Sequence, residues 1–237
     1  MRSFYRPKRV PTHTMRPGRK RKPIKTNHGA RSLTTTSAAL HVAETVRELG
    51  LRHVVVTSVT RDDLPDGGAA FWAEVIKTIR KVNPGITIET LIPDFDAVLE
   101  NLEKVTDAAP DVISHNVETV RRLTPAIRTK AKYDRSLSVI RYISDKGIPA
   151  KSGLMLGLGE TESELRDTIL DLRNAGCSIL TIGQYLKPSP EHMDPVEYVE
   201  PEKFVSYKDY AVSLGFRFVE SAPLVRSSLH AEKHVTG

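Results

Sequence analysis

Residues 150–175, AKSGLMLGLGETESELRDTILDLRNA, begin with a short apolar run and continue as a helical pattern. The run from Ala150 to Leu156 is mostly apolar, as in a strand that is buried in a sheet. Thr161 can then cap a helix that extends to about Ala175, because its hydroxyl accepts a hydrogen bond from a backbone N–H group of the first turn. This stretch therefore predicts one strand-to-helix unit.

The same unit recurs along the chain. Short apolar runs that predict strands alternate with helical patterns, several of which end at glycine. The predicted strands are residues 53–58, 87–91, 111–116, 150–156, 178–184 and 216–220. The predicted helices are residues 37–49, 67–82, 94–105, 133–146, 161–175 and 201–214.

This alternation predicts an α/β fold with a parallel sheet built from βαβ units. Six predicted strands are fewer than the eight of a closed barrel. The periodicity alone does not separate a partial (β/α) barrel from a doubly wound sheet. Gly157-Leu158-Gly159 does not match the dinucleotide-binding pattern G-x-G-x-x-G, which disfavours a dinucleotide-binding domain.

The positive charge of the chain is segregated at its N-terminus. Eleven of the 35 lysines and arginines lie before residue 33, and the first acidic residue is Glu44. The rest of the chain therefore carries 24 basic and 29 acidic residues. Residues 1–36 also contain four prolines and few apolar residues, so we predict a basic, disordered segment that precedes one domain over residues 37–237.

Three interpretations of the basic segment differ in function: an arm that binds nucleic acid, a targeting peptide, or a solvated tail. The acidic balance of the remaining chain and its lack of interleaved aromatic residues disfavour nucleic acid as a partner. The four prolines disfavour the amphipathic helix of a mitochondrial transit peptide.

The cysteine content and the hydropathy limit the class of protein. Cys177 is the one cysteine, which excludes an internal disulfide framework and a cysteine-only metal site within a single chain. No apolar run approaches the roughly 18 to 20 residues that cross a bilayer, and no apolar stretch follows the basic start. A cytoplasmic protein without a membrane partner is the expectation.

Polar residues or glycines lie within or directly after five of the predicted strands. Because ligand sites of parallel α/β folds lie at the carboxyl ends of the strands, this pattern indicates a small-molecule site. The residues are Thr57-Ser58, His115-Asn116-Val117-Glu118, Lys151-Ser152-Gly153 with residues 157–160, Gly183-Gln184-Tyr185 and residues 226–230.

Each candidate also has a structural interpretation. Closely spaced acids at residues 62, 63 and 66 could hold a cation, but such acids usually cap helices. His115 could act as an acid or base, although a single histidine at a strand end is more often part of the hydrogen-bonded structure. Lys151 lies in an apolar strand and must either meet an anion or leave the sheet. Cys177 is predicted to be a small buried residue.

Taken together, the strand-end strings resemble those of lipoyl synthases. The matching strings are residues 55–64 and 66–68, 89–95, 115–119, 151–160, 180–186 and 223–228. They occur in the order of that family, and the resemblance spans about three quarters of the chain.

The resemblance implies a partial (β/α) barrel of the radical S-adenosylmethionine (SAM) type, with its first strand absent or scrambled here. Lipoyl synthases use SAM and 4Fe-4S clusters to insert two sulfurs into an octanoyl chain carried by a lipoyl-accepting protein. By this resemblance, Thr57, Ser58, Asn116 and Glu118 line the SAM pocket, and Lys151 or Arg135 binds the SAM carboxylate. Ser228 matches the serine ligand of an auxiliary cluster.

One departure from the family concerns the cluster ligands. The family places C-x3-C-x2-C about one helix before the strand at residue 54, where residues 15–31 contain no cysteine. Since cluster irons need thiolate ligands, this sequence predicts no cluster bound in the family's manner. We expect either a lipoyl synthase with a truncated or frame-altered N-terminus, or a non-catalytic remnant that binds SAM or a lipoyl domain.

Overall fold

The computed structural model describes residues 35–128 and 130–235. The prediction of a basic, disordered segment over residues 1–36 therefore lies outside the described residues, except for its last two. The absent or scrambled first strand also falls in that part of the chain.

Helices and strands alternate from α1 to β6, except that α4 and α5 follow one another between β3 and β4. The strands are β1 His53–Thr57, β2 Thr87–Leu91, β3 Val112–Ser114, β4 Ala150–Leu156, β5 Ile179–Gln184 and β6 Phe218–Ser221. The helices are α1 Thr35–Glu48, α2 Ala69–Val82, α3 Leu99–Asp107, α4 Thr124–Ile127, α5 Tyr133–Asp145, α6 Glu162–Asn174 and α7 Pro201–Ser213. Two 3₁₀ turns, Phe95–Ala97 and Ala231–His234, complete the structure that is described.

The six strands form one parallel sheet in which every strand lies beside its neighbour in the sequence, in the order β1-β2-β3-β4-β5-β6. A doubly wound sheet reverses its strand order at a switch point, whereas strands in chain order are those of a (β/α) barrel. Within the described residues, β1 and β6 do not pair with each other. The prediction of a partial barrel is therefore confirmed.

The helices follow their sequence signals closely. Thr161 forms a complete capping box at the start of α6, because its hydroxyl accepts from the N–H of Glu164 and the Glu164 carboxylate accepts from the N–H of Thr161. Apolar residues of these helices pack against the apolar face of the sheet, around Ile88, Ile113 and Leu180.

The region after β2 differs from the predicted helix over residues 94–105. Asp94 caps only the short turn Phe95–Ala97, where all three residues have left-handed backbone angles, with φ of 46°, 54° and 55°. Because a right-handed helix cannot run through such residues, α3 begins at Leu99. The short helix α4 was not predicted.

The inner face of the sheet is polar at its centre. Lys151 of β4 and Glu89 of β2 are both fully buried and bond to each other across the intervening strand β3. The turn Ala231–His234 packs beside β1, and His234 Nδ1 lies 3.3 Å from Lys151 Nζ. None of the described helices is both long enough and apolar enough to span a membrane.

Candidate functional site

A cavity of about 150 Å³ lies at the carboxyl ends of β3, β4 and β5. Its walls come from the strand ends and from the segment that follows β6. The lining residues are Asn116, Glu118, Gly153, Leu154, Met155, Thr181, Gly183, Gln184, Leu186, Val225, Arg226 and Ser227. This position is where parallel α/β folds bind ligands, as the strand-end residues predicted.

Glu118 is held in the cavity wall by a strained backbone. Its φ of 69° is left-handed, which costs a non-glycine residue about 1–3 kcal/mol. Two hydrogen bonds to β4 maintain this conformation: Glu118 N donates to Gly153 O at 2.9 Å, and Met155 N donates to Glu118 O at 2.8 Å. Strain that neighbouring strands enforce is typical of a functional position.

Asn116 and Glu118 line the cavity with polar side chains, and one of their oxygen atoms lacks a hydrogen-bond donor. Burial raises the pKa of the Glu118 carboxyl, and the hydrogen bond from the Asn116 side chain opposes this shift. Asn116 Oδ1 is buried without a hydrogen-bond partner among the residues that the structure describes. A buried acceptor that stays unpaired costs about 1–3 kcal/mol. A ligand that donates a hydrogen bond to this oxygen would remove that cost.

Two glycines keep the cavity open. A Cβ atom on Gly153 would lie 2.9 Å from Asn116 Oδ1 and 3.0 Å from Thr181 Oγ1. A Cβ atom on Gly183 would lie 2.3 Å from the backbone oxygen of Val225. Side chains at these positions would displace the Asn116 amide and the segment after β6 respectively.

A larger cavity, of about 640 Å³, lies beside the loops that follow β1, β2 and β3. Arg135 of α5 lines it and donates to Asp94 Oδ2 at 2.7 Å, to Asp96 Oδ1 at 2.6 Å and to the Lys130 carbonyl at 2.8 Å. Lys130 in turn pairs with Asp62, so ion pairs connect the three loops.

Lys151 lies in the sheet interior and lines neither of these two cavities. Its Nζ is 2.7 Å from Glu89 Oε1 and 3.3 Å from His234 Nδ1. Burial lowers the pKa of Lys151, and the adjacent Glu89 carboxylate opposes this shift. The anion that the sequence required for this lysine is therefore Glu89.

The remaining predicted site residues lie at the surface. Thr57 ends β1 and Ser58 follows it, where the Ser58 hydroxyl donates to the Val59 carbonyl; both are exposed. Ser228 is exposed in the turn after β6, next to Ser227, which lines the smaller cavity. Of the residues assigned to the SAM pocket, the structure thus brings together Asn116 and Glu118.

The structural interpretation holds for His115 and, among the three acids, for Asp66, which caps a helix, whereas Asp63 forms an ion pair. His115 is buried, with Nδ1 3.0 Å from the Ile92 carbonyl and Nε2 3.0 Å from Ser136 Oγ, and burial lowers its pKa to about 4. Asp66 accepts from the N–H groups of Gly68 and Ala70 at the start of α2, and Asp63 pairs with Arg61.

Sequence reasoning did not single out Thr181, which lines the smaller cavity, or Arg128, which lines the larger one. Thr181 lies inside β5, two positions before Gly183, and strand alternation could have placed it on the same face. Arg128 lies at the end of the unpredicted helix α4, and no sequence pattern marked it.

The residues present do not fit a cysteine-held cluster. Cys177 lies between α6 and β5, before the strand begins and thus opposite the cavities. Its buried thiol donates to the Ile179 carbonyl at 3.2 Å, and burial raises its pKa to about 12. Over residues 35–128 and 130–235, no group of three His, Cys, Asp or Glu side chains could hold a metal ion.

Comparisons with known proteins agree with this architecture. The model of the radical SAM superfamily matches residues 12–172. The lipoyl synthase of Parabacteroides distasonis is 56% identical over 195 residues, which cover 82% of this chain and 69% of that protein. The lipoyl synthase of Flavobacterium johnsoniae is 53% identical and covers 82% and 68% of the two chains.

Solved structures show the same fold at low sequence identity. Methylornithine synthase superposes with a TM-score of 0.58 at 14% identity, covering 83% of this chain and 69% of that chain. SuiB of Streptococcus suis also gives a TM-score of 0.58, at 10% identity, with 78% and 42% covered. The chain belongs to the lipoyl synthase family of the radical SAM superfamily, as the resemblance of its strand-end strings predicted.

Proposed function

We propose that this chain binds SAM at the smaller cavity, through Asn116 and Glu118, and acts in lipoyl formation on an octanoylated lipoyl-accepting protein. Lipoyl synthases are sulfur-inserting radical SAM enzymes, and membership in that superfamily implies SAM and a 4Fe-4S cluster. The observation that carries the SAM site is the buried, unpartnered oxygen of Asn116 beside the carboxyl of Glu118.

The chemistry of the two side chains suits the polar groups of SAM. A ribose hydroxyl can donate to Asn116 Oδ1, which lacks a donor among the described residues. The Glu118 carboxylate can accept from a second hydroxyl or from the ammonium group. When bound, SAM supplies the adenosyl group by which this superfamily removes hydrogen from its substrates.

Thr57 and Ser58 are proposed to contribute from the carboxyl end of β1, which faces the same end of the sheet. Arg135 would have to exchange Asp94 or Asp96 for a SAM carboxylate. Lys151 is already neutralised by Glu89, which supports a structural role for it. Ser228 is exposed and could offer its hydroxyl oxygen to an iron atom.

Apolar side chains near the cavity support an acyl substrate. Leu186 lines the cavity and is 44% exposed, and Leu224, in the segment after β6, is 79% exposed. An octanoyl chain gains roughly 0.8 kcal/mol for each CH₂ group that leaves water, so contact with these leucines favours its binding.

The buried position of Cys177 favours a second candidate function, a non-catalytic protein that binds SAM or a lipoyl domain. A thiol with a pKa of about 12 is not a ready metal ligand, because metals bind the thiolate. We therefore assign no step of the proposed function to a cluster.

Measurements on a single preparation of the protein test both candidate functions. The full chain is reconstituted anaerobically with iron and sulfide, and iron content, 4Fe-4S absorbance and lipoyl formation on an octanoylated acceptor protein are measured. Binding of SAM is measured by calorimetry for the chain and for Asn116→Ser and Glu118→Gln. Asn174→Ser and Glu103→Gln are surface controls.

We expect SAM to bind the chain and both controls, and to bind the two site variants roughly tenfold or more weakly. A cluster together with lipoyl product supports the enzyme, whereas SAM binding without a cluster supports the non-catalytic protein. Failure of the chain to bind SAM contradicts both candidates that use this cavity.

A further inference from the structure

The backbone turns sharply at Glu118, in the wall of the smaller cavity. Thr119 N donates a hydrogen bond to Val117 O at 2.9 Å, and Glu118 between them has a φ of 69°. A bond that spans two residues about a positive φ defines a γ-turn of a rare and strained kind. Such a conformation persists only where the surrounding structure holds it. The contacts on the two sides of this turn therefore decide whether it forms.

Strand β4 holds one side of the turn. Besides the two backbone bonds that join Glu118 to this strand, Val117 N donates to Ser152 Oγ at 3.2 Å. A trans peptide places its N–H and C=O groups on opposite sides, so the carbonyl of Asn116, in the same peptide unit as Val117 N, faces away from β4. A second contact, from the other side, is needed to fix this carbonyl.

Arg128 supplies the contact on the other side. Its Nη1 donates to Asn116 O at 2.8 Å and lies 3.5 Å from Val117 O. Hydrogen bonds from a charged donor are stronger than those between neutral groups. Arg135 and Lys130, which line the same larger cavity, pair with carboxylates, whereas Arg128 forms no ion pair with the residues that the structure describes.

A buried chain of hydrogen bonds fixes the Arg128 guanidinium. His115 Nδ1 lies 3.0 Å from the Ile92 carbonyl, which can only accept, so Nδ1 carries the ring proton and Nε2 is an acceptor. The Ser136 hydroxyl therefore donates to Nε2, at 3.0 Å, and its oxygen accepts from Arg128 Nη1 at 3.3 Å. Burial lowers the pKa of His115 to about 4, which favours the neutral ring that this chain requires.

We propose that Arg128 is a positioning residue, which holds the strained turn at Glu118 from the side of the larger cavity while β4 holds it from the other. The side chains of Asn116 and Glu118 then stay in the wall of the smaller cavity, so the proposal rests on the function proposed above for that cavity. Arg128 lines the larger cavity and, in this role, acts through the backbone of residues 116–118 without contact to a ligand.

The charge of Arg128 also acts on the Glu118 carboxyl. Burial raises the pKa of Glu118, and the positive charge of Arg128 opposes this shift. Burial likewise lowers the pKa of Arg128, and the Glu118 carboxylate opposes that shift. Loss of the guanidinium should therefore raise the pKa of Glu118 further, an effect that a merely structural arginine would not have.

The test uses the full chain and the variants Arg128→Met, Arg128→Lys and Ser136→Ala. Arg173→Met is the matched control. Arg173 is also a half-buried arginine that donates to a backbone carbonyl, that of Leu214 at 3.2 Å, but it lies at the far end of α6. Its replacement removes an interaction of the same kind away from both cavities.

Three measurements are made on each protein. Amide hydrogen exchange reports on the bonds that join Glu118 and Met155 across the turn. A ¹³C NMR titration gives the pKa of the Glu118 carboxyl, whose signal is assigned from Glu118→Gln. Calorimetry gives the affinity for SAM.

We expect Arg128→Met to speed exchange of the Glu118 and Met155 amides roughly tenfold or more, to raise the pKa of Glu118, and to weaken SAM roughly tenfold. Arg128→Lys keeps the charge and should leave the pKa of Glu118 nearly unchanged, with a smaller effect on exchange. Ser136→Ala loosens the guanidinium and should speed exchange of the same two amides. Arg173→Met should change none of these values.

Unchanged exchange at the two amides in Arg128→Met overturns the proposal, as does an equal change in Arg173→Met. If Arg128→Met does not fold, as judged by thermal unfolding, Arg128→Lys and Ser136→Ala decide, and original exchange rates in both count against Arg128. A chain that does not bind SAM contradicts the function proposed for the cavity. The exchange rates and the pKa of Glu118 need no ligand, so the two failures are distinguishable.

Discussion

Lys151 Nζ lies 2.7 Å from Glu89 Oε1, and both side chains are completely buried. The bond crosses the inner face of the sheet from β4 to β2, over the central strand β3. Both charges have lost their hydration, and their mutual attraction offsets much of that loss. Glu89 Oε2 has no partner among the described residues, so the compensation from side chains is incomplete.

Removing one partner of this pair should destabilise the fold more than removing both. Lys151→Met leaves the Glu89 carboxylate buried and alone, and we expect the free energy of unfolding to fall by about 3–5 kcal/mol. The double variant Lys151→Met with Glu89→Met should recover most of that loss. Urea unfolding of the three proteins measures it, and a double variant less stable than the single variant would contradict the role assigned to the pair.

Two buried histidines should make the fold sensitive to acid. Burial is the main cause that lowers the pKa of both His115 and His234 to about 4, below the value of 6.5 that is ordinary for histidine. Between these values the unfolded chain binds more protons than the folded protein, so the stability is present above pH 6.5 and is lost as the pH falls toward 4.

Each histidine should contribute a slope of at most about 1.4 kcal/mol per pH unit in that window. Urea unfolding at several pH values measures the slope. His234→Gln cannot be protonated and should reduce it, whereas His192→Gln, at an exposed position, should not. Equal slopes for all three proteins would contradict this assignment.

Gly153→Ala should damage the site through Asn116. The added Cβ would lie 2.9 Å from Asn116 Oδ1, closer than such atoms approach, so the amide must move. We expect a loss of about 1–3 kcal/mol in the free energy of unfolding and weaker SAM binding. Replacing Asn116 by serine in the same protein shortens the opposing side chain and should restore part of the stability. No recovery of stability would point to Thr181 as the obstacle instead.

Ala97→Gly should stabilise the loop after β2. Ala97 has a φ of 55°, a conformation that costs an L-residue about 1–2 kcal/mol and costs glycine almost nothing. The greater freedom of glycine in the unfolded chain offsets part of this gain, so we expect a net increase of less than about 1 kcal/mol. Ala97→Val should be destabilising, and thermal unfolding of the three proteins checks the order.

The fold could be predicted because its signals are local. A short apolar run predicts a strand, and a capping residue after it predicts the start of a helix, as at Ala150 and Thr161. All six strands lie where this alternation predicted them. The errors arise where the backbone leaves the regular regions. Residues 95–97 have left-handed backbone angles, so the helix predicted over residues 94–105 does not begin until after them. Their side chains did not predict that conformation.

The site could be predicted only in part, for a related reason. Asn116 and Glu118 follow a strand, and their position in the sequence therefore gives their position in the fold. Lys151 was marked as unusual, but its partner Glu89 is 62 residues away and on a strand that is not adjacent. Arg128 depends on contacts with the backbone of Asn116, which no spacing in the sequence encodes.

The turn Ala231–His234 has a consequence for the order in which the protein folds. His234 Nδ1 lies 3.3 Å from Lys151 Nζ, 83 residues away in the sequence, and the His234 ring packs against Phe218, so this turn completes the interior of the sheet. Contacts between residues so distant in sequence carry a large loop-closure cost, and they form after the neighbouring strands have paired. The amide groups of this turn should therefore be among the last to gain protection from hydrogen exchange during refolding.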